Sequence, residues 1–233
     1  ESISWEDVRA IQAALLPHQT ESAERTLLER LEDCFRLYLE FTPEDRARIR
    51  RLMTTLTNGM EMDLTVFPGD AARDLTALQT MADLDRYIYY VAGCVGEFWT
   101  GMTCAHLPPL AGWDVPEMAK IGVRFGKGLQ LTNVLKDMAR DLQRGRCYLP
   151  EVLVRDAGLE PKDLLRKESL PRLRPVLTKL VAVALEHLDQ GWLYTMAIPR
   201  QEVRLRLACM WPILFAGGTL RLVSTSPELL NPS

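Results

Sequence analysis

Apolar residues recur at three- and four-residue intervals along nearly all of the 233 residues, and strand-type alternation is almost missing. At about 100° of rotation per residue, that spacing lines apolar side chains along one side of a helix. A chain so patterned buries them by packing helix on helix. Ser4 and Asp7 resemble a capping box ahead of the stripe Val8, Ile11, Leu15 and Leu16. A second helix is predicted over 20–39, apolar at Leu27, Leu28, Leu31, Cys34, Phe35 and Leu37. Thr42-Pro43-Glu44 starts a third, because threonine caps, proline fits the first turn and the acid suits the dipole. That helix runs to about Asp63, before the breaker Phe67-Pro68-Gly69-Asp70. Longer helices are predicted over 81–105, 115–143 and 177–196, with short pieces over 150–156 and 161–167. Pro199 separates a last helix ending near Leu222, and Pro227 and Pro232 mark a tail. No internal repeat or linker interrupts the pattern, so a single all-α domain over 1–233 is expected.

Charge and cysteine usage exclude several function classes. The chain carries 28 basic and 31 acidic side chains, a net of −3, where a nucleic-acid binder working by bulk charge needs a basic surplus. Five scattered cysteines (Cys34, Cys94, Cys104, Cys147, Cys209) form no CxxC pair, and His18, His106 and His187 complete no zinc spacing. Reduced thiols in a cytoplasmic protein are the expectation. The longest apolar stretch, 208–220, contains Pro212 and is shorter than the ~20 residues a bilayer crossing needs. The opening Glu1-Ser-Ile-Ser-Trp-Glu-Asp is acidic where a secretion signal is basic.

Two stretches carry chemistry. In the first, Gln130, Asn133, Asp137, Asp141 and Arg144 fall on one helical stripe, flanked by Leu129, Leu131, Val134, Leu135, Met138 and Leu142. Two carboxylates one turn apart suit shared coordination of Mg²⁺, which prefers oxygen ligands and commonly bridges substrate phosphates. Lys136, Arg140, Arg144 and Arg146 are near enough in sequence to take remaining phosphate charge. The same spacing also describes a solvated face with Asp137–Arg140 and Asp141–Arg144 surface pairs. In the second stretch, Tyr90, Gly93 and Glu97 share a helix side, and Gly93 and Gly96 interrupt the helix at about 0.5–1 kcal/mol each relative to alanine. Glycines there serve close helix crossing or leave room for an elongated apolar ligand, and tyrosines at helical spacing are commonly packing residues.

Taken together, these residues resemble the squalene and phytoene synthase family. Tyr87-Ile-Tyr89-Tyr90-Val-Ala-Gly93-Cys-Val-Gly96 is similar to its tyrosine-rich signature. The run from Gln130 through Asp137 and Asp141 to Arg146-Cys-Tyr148-Leu-Pro150 is similar to its second aspartate-rich signature. Gly59-Met60-Glu61-Met62-Asp63 resembles the segment that precedes the tyrosine signature, and Tyr194-Thr-Met-Ala-Ile-Pro199 resembles the squalene-synthase branch.

The resemblance implies an all-α isoprenoid synthase fold, with long helices around a central cavity. It implies head-to-head condensation of two farnesyl diphosphates through presqualene diphosphate, then reduction by NADPH to squalene. Asp137 and Asp141 are implied as Mg²⁺ ligands, with Asn133 beside the metal. Tyr87, Gln130, Asn133, Arg146 and Tyr194 are implied as substrate contacts, and Tyr90 as the catalytic group handling the proton lost in cyclopropane formation. Metal and Arg146 would neutralise the departing diphosphate, and apolar walls would keep water from the cations.

Two departures bear on that expectation. The family's first aspartate-rich motif and its upstream substrate segment have no counterpart in these residues, so a longer enzyme lacking its amino-terminal part is expected. Lys136 stands where an arginine is common. The alternatives are a sibling synthase forming hydroxysqualene, dehydrosqualene or phytoene, and a non-enzymatic prenyl-lipid-binding homologue with an incomplete metal site. A class I terpene cyclase lacks the Tyr-Val-Ala-Gly pattern beside this DxxxD helix. An apolar product makes peripheral membrane association part of the expectation.

Overall fold

A computed structural model describes residues 3–231, and these fall into two compact units divided between Arg50 and Arg51. The first contains α1 (Trp5–Leu15), α2 (Ser22–Glu29) and α3 (Leu31–Glu40), and α4 (Pro43–Val66) begins in it. Ser4 caps α1 as its sequence position indicates, accepting from the Asp7 backbone N–H at 3.2 Å. The Gln12 side chain donates to the carbonyls of Leu28 and Glu29 at 2.8 and 2.9 Å, and Arg9 pairs with Glu32 at 3.1 Å. The continuous helix predicted over 20–39 is instead two, divided at Arg30 (φ −102°, ψ 19°). One residue leaving helical dihedrals does not disturb the apolar spacing on either side, which is why periodicity ran through it.

The second unit is organised around α7 (Val115–Lys136), which packs against α6 (Cys94–His106) on one side and α10 (Leu170–Ala197) on another. The α6 crossing is close because of glycine. A Cβ on Gly96 would stand 1.9 Å from the Gly122 carbonyl oxygen, and one on Gly126 would stand 2.3 Å from that of Ala92. Of the two uses the sequence left open for its helical glycines, close crossing is the one seen at Gly96. The main core is built from Leu84, Ile88, Leu131, Leu135, Leu142, Leu149, Leu173, Leu177 and Leu180, each at most 2% exposed.

Three further expectations need correction. The helix predicted over 81–105 is interrupted. After α5 (Met81–Ile88), residues Tyr89–Gly93 form a π-helical turn before α6. The helix predicted over 115–143 breaks at Asp137 (φ −89°, ψ 4°), which separates α7 from α8 (Met138–Gln143). The long helix expected to start at Leu177 begins earlier, at Leu170, and tolerates Pro175 within it. Pro171 occupies the first turn of α10, where its missing N–H costs nothing.

Two short strands, β1 (Thr76–Ala77) and β2 (Arg146–Cys147), pair in parallel with Thr76 opposite Arg146. Gly145, at φ +78°, makes the turn that leads into β2 from α8, a backbone conformation glycine adopts without steric cost. After β2 comes α9 (Glu151–Asp156), then α10 and α11 (Val203–Thr225). The Arg174 guanidinium of α10 donates to the Val223 and Ser224 carbonyls at 2.9 Å each, satisfying the open end of α11. At 23 residues, α11 outruns its apolar stretch and is long and apolar enough to cross a membrane by length and composition, with 22% of that window buried. The expectation of a stretch too short to span is corrected to that extent. Pro232 lies outside the described residues.

Candidate functional site

The aspartate-bearing stripe survives the break in its helix. The Asp137 backbone N–H bonds the Asn133 carbonyl at 2.9 Å, and that of Asp141 bonds the Asp137 carbonyl at 3.0 Å. The four-residue ladder therefore continues through Asp137, and Asn133, Asp137 and Asp141 stay on one side. Leu131, Leu135, Met138 and Leu142 on the other faces are buried, while Asn133 is exposed and Gln130, Asp137 and Asp141 are half-buried.

The two carboxylates differ in setting. Asp137 is held by cations, Arg140 at 3.1 Å and Lys136 at 3.4 Å, so the expected surface pair with Arg140 does form. Asp141 is pushed up from the ordinary carboxylate range, first by burial and then by the charge of Asp137, against the opposing pull of Arg140, Arg144 and Arg146. A carboxylate made reluctant to ionise by burial and then by a like charge is one whose ionised form gains from a bound cation. Among the described residues, no group of three or more His, Cys, Asp or Glu side chains converges on one point. The donor set is two carboxylates, which fits Mg²⁺ completing its octahedron with water and phosphate oxygens and does not fit a closed protein cage.

Arg146 projects from β2 into a polar cluster that links β2 to the end of α4. Its Nη1 lies 3.2 Å from Asp63 Oδ2 and its Nη2 lies 3.5 Å from Asp70 Oδ1, while Nε is buried without a hydrogen-bond partner among the described residues. Tyr148, two residues on, donates its hydroxyl to Asp63 Oδ1 at 2.7 Å. One carboxylate thus holds both side chains. The Tyr148 ring stacks on Tyr87 (centroids 4.6 Å, 24° between planes) and meets the edge of Phe67 at 5.0 Å. Burial raises both phenols above their ordinary range. Among the lesser influences, the charge of Asp141 acts on Tyr87 and that of Arg146 on Asp141.

Tyr90 sits in the π-turn, half-buried. Gly59 of α4 makes room for it, since a Cβ there would stand 2.9 Å from that of Tyr90. The Cys94 thiol donates to the Tyr90 carbonyl at 3.1 Å, taking up an acceptor in the widened turn. Such turns are rare and concentrate at functional positions. Beside it, Lys127 reaches both carboxylate oxygens of Asp85 at 2.8 Å and lies 5.8 Å from the Tyr89 ring centroid. Tyr89 in turn contacts Glu97 at 3.4 Å.

Tyr194 is placed elsewhere, in a second apolar cluster with Ile198 and Cys209, against Trp113 and Phe125. Its hydroxyl lies 2.9 Å from Thr100 Oγ1. Thr100 gives its one proton to the Gly96 carbonyl at 2.8 Å, so Tyr194 is the donor. Burial pushes its phenol up to about 12.

The structure sets Arg146 against Asp63 and Asp70 and Tyr87 on Tyr148, keeps Gln130, Asn133, Asp137 and Asp141 on one stripe, sets Tyr90 on the π-turn, and leaves Tyr194 in a separate cluster. Asp63 and Tyr148, which lie in two of the family-like segments, and Asp70, in the breaker loop, join Arg146 although the sequence assigned them no role. The available signal was the spacing of Arg146 and Tyr148, which share one face of an extended segment.

A family model described as squalene/phytoene synthase matches residues 4–232. The phytoene synthase of Thermus thermophilus is 39% identical over 103 residues, which cover 44% of this chain and 32% of that protein. The squalene synthase of Saccharomyces cerevisiae is 27% identical over 208 residues, covering 89% of this chain and 45% of that protein. Among solved structures, the squalene synthase HpnC from Alicyclobacillus acidocaldarius superposes with a TM-score of 0.62 at 20% identity, over 95% of this chain and 73% of that one. A ligand complex of TcSQS superposes with a TM-score of 0.74 at 23% identity, over 96% of this chain and 66% of that one. At these identities the structures carry the fold, which is the all-α isoprenoid synthase fold expected from the sequence. The chain spans less than half the length of these two curated relatives.

Proposed function

The chain belongs to the squalene/phytoene synthase family of prenyltransferase-type enzymes, and from that premise we propose that it supplies one metal-binding side of an active site joining two prenyl diphosphates head to head. The reading is supported by the carboxylates Asp137 and Asp141 one turn apart on a single stripe, together with an Arg146 guanidinium fixed by Asp63 whose charge acts on Asp141. Farnesyl diphosphate is the proposed substrate and squalene the proposed product, with NADPH as the reductant of the final step.

In this reading Asp137 and Asp141 would hold Mg²⁺, with Asn133 and Gln130 beside them on the stripe. The ion supplies charge neutralisation at the diphosphate as it departs. Arg146, fixed by Asp63, adds a preorganised positive group for the same charge. Tyr90 takes the proton lost in ring closure from its place on the π-turn, and Tyr87 borders the diphosphate end. Tyr194, 1% exposed and with its hydroxyl engaged by Thr100, is proposed to back the apolar wall from its own cluster and not to touch the substrate. The protein is proposed to work in the cytoplasm, with peripheral membrane association at the exposed side of α11.

The test is product analysis of the full-length protein with farnesyl diphosphate, Mg²⁺ and NADPH. Squalene with NADPH, and none when it is omitted, is expected. Phytoene from geranylgeranyl diphosphate would move the protein to the phytoene branch, a reading favoured by the 39% identity to the Thermus enzyme. Hydroxysqualene or dehydrosqualene would make it a sibling synthase. Binding of farnesyl diphosphate without turnover would leave a prenyl-lipid-binding homologue.

A further inference from the structure

The two acidic partners of Arg146 are unlike each other. The Asp63 side chain is 17% exposed and is committed twice, to Arg146 at 3.2 Å and to Tyr148 at 2.7 Å. That of Asp70 is 89% exposed, lies in the loop after α4, and touches Arg146 only at 3.5 Å. A shielded carboxylate with two contacts holds its partner in place, whereas a solvated one with a single contact is readily exchanged. The guanidinium offers its donors in a rigid fork, so fixing one arm fixes the direction of the others. With one arm on Asp63, the remaining arm points toward Asp70.

We propose that Asp63 is a positioning residue that aims the Arg146 guanidinium, and that Asp70 is an internal anion on its outer arm, displaced when a diphosphate arrives. Asp63 acts through Arg146 and touches no substrate. Tyr148 belongs to the device because its hydroxyl occupies the second oxygen of Asp63, leaving that carboxylate one orientation. Asp70 then tunes affinity, since any incoming anion competes with it for the same donor. This rests on the reading of Arg146 as a diphosphate contact.

The experiment is calorimetric titration of the chain with inorganic pyrophosphate at fixed Mg²⁺ and ionic strength, read as affinity. Asp70→Asn removes the competitor and is expected to tighten binding about two- to fivefold, the scale of one exposed ion pair. Asp63→Asn is expected to weaken it roughly tenfold or more, because it unfixes a shielded charge. The gain from Asp70→Asn should vanish in the Asp63→Asn background, a non-additivity that a purely structural role of Asp63 would not produce. Should Asp63→Asn fail to fold, Tyr148→Phe frees one oxygen of Asp63 and is expected to weaken binding about twofold. Unchanged affinity in Asp70→Asn, or the same gain in both backgrounds, overturns the proposal. Arg146→Ala separates the two levels. If it binds like wild type, the diphosphate reading of Arg146 is wrong. If it loses affinity while the Asp63, Asp70 and Tyr148 variants bind like wild type, only the positioning device is wrong.

Discussion

Tyr148 and Tyr194 are both shielded, at 8% and 1% exposure, yet the first hydroxyl donates to the carboxylate of Asp63 and the second to the hydroxyl of Thr100. Around Tyr148 stand Asp63, Arg146 and Tyr87, with the charge of Asp141 in reach of the group. Around Tyr194 stand Trp113, Phe125, Ile198 and Cys209. Burial raises both phenols, but only the first is joined to charges able to respond to an anionic ligand. Burial of a tyrosine is therefore a poor guide to function in this fold, and the charge of its partner is the better one.

The sharpest way to break this contrast is to remove the apolar member. Tyr194→Ala is expected to cost about 3–5 kcal/mol of unfolding free energy, as other aromatic truncations in cores do, and to leave pyrophosphate affinity unchanged. Denaturant unfolding and calorimetry on the same samples check it. A smaller loss, about 1–3 kcal/mol, is expected from Tyr148→Phe, because it leaves an oxygen of a shielded carboxylate without its donor. Tyr194→Phe is expected to cost about 1 kcal/mol or less, since Thr100 keeps its bond to Gly96. Equal costs for the two Phe variants would erase the distinction between the clusters.

The smallest effect has the opposite sign. Asp141 has a raised pKa in the folded chain, so across the window between its unfolded and folded values the native state holds more protons than the unfolded one. Stability attributable to this group falls as pH rises through that window and stays reduced above it. Asp141→Asn is therefore expected to stabilise the chain at neutral pH by up to about 1 kcal/mol, a limit set by its partial exposure. The gain should fade as pH drops through that window toward the ordinary aspartate value, and thermal unfolding at pH 7 and pH 3.5 reads it. A stabilising change that removes function is what a carboxylate kept for a cation should give.

The helical class and the aspartate stripe were legible because both depend on spacing of three and four residues, which the chain states directly. The breaks at Arg30 and Asp137 were not, because one residue's dihedral angles change while the apolar period runs on. The π-turn is hidden likewise, although Tyr90 and Gly93 within it stand out in the sequence. The polar cluster was least legible. Asp63 on α4 and Tyr148 just after β2 are 85 positions apart, and β2 and its partner β1 are two residues each. Strands that short leave no alternation to read, so the partner of Arg146 emerges only when the chain is folded.

The central claim is that Asp137 and Asp141 form a working metal platform for a prenyl diphosphate. The direct test is pyrophosphate release from farnesyl diphosphate by the full-length protein, titrated with Mg²⁺, for wild type, Asp137→Asn and Asp141→Asn. Mg²⁺-dependent release by the wild type, with a fall of about a hundredfold or more in each variant whose far-ultraviolet spectrum is unchanged, is predicted. Release at the wild-type rate by either variant, with the same Mg²⁺ dependence, would contradict it.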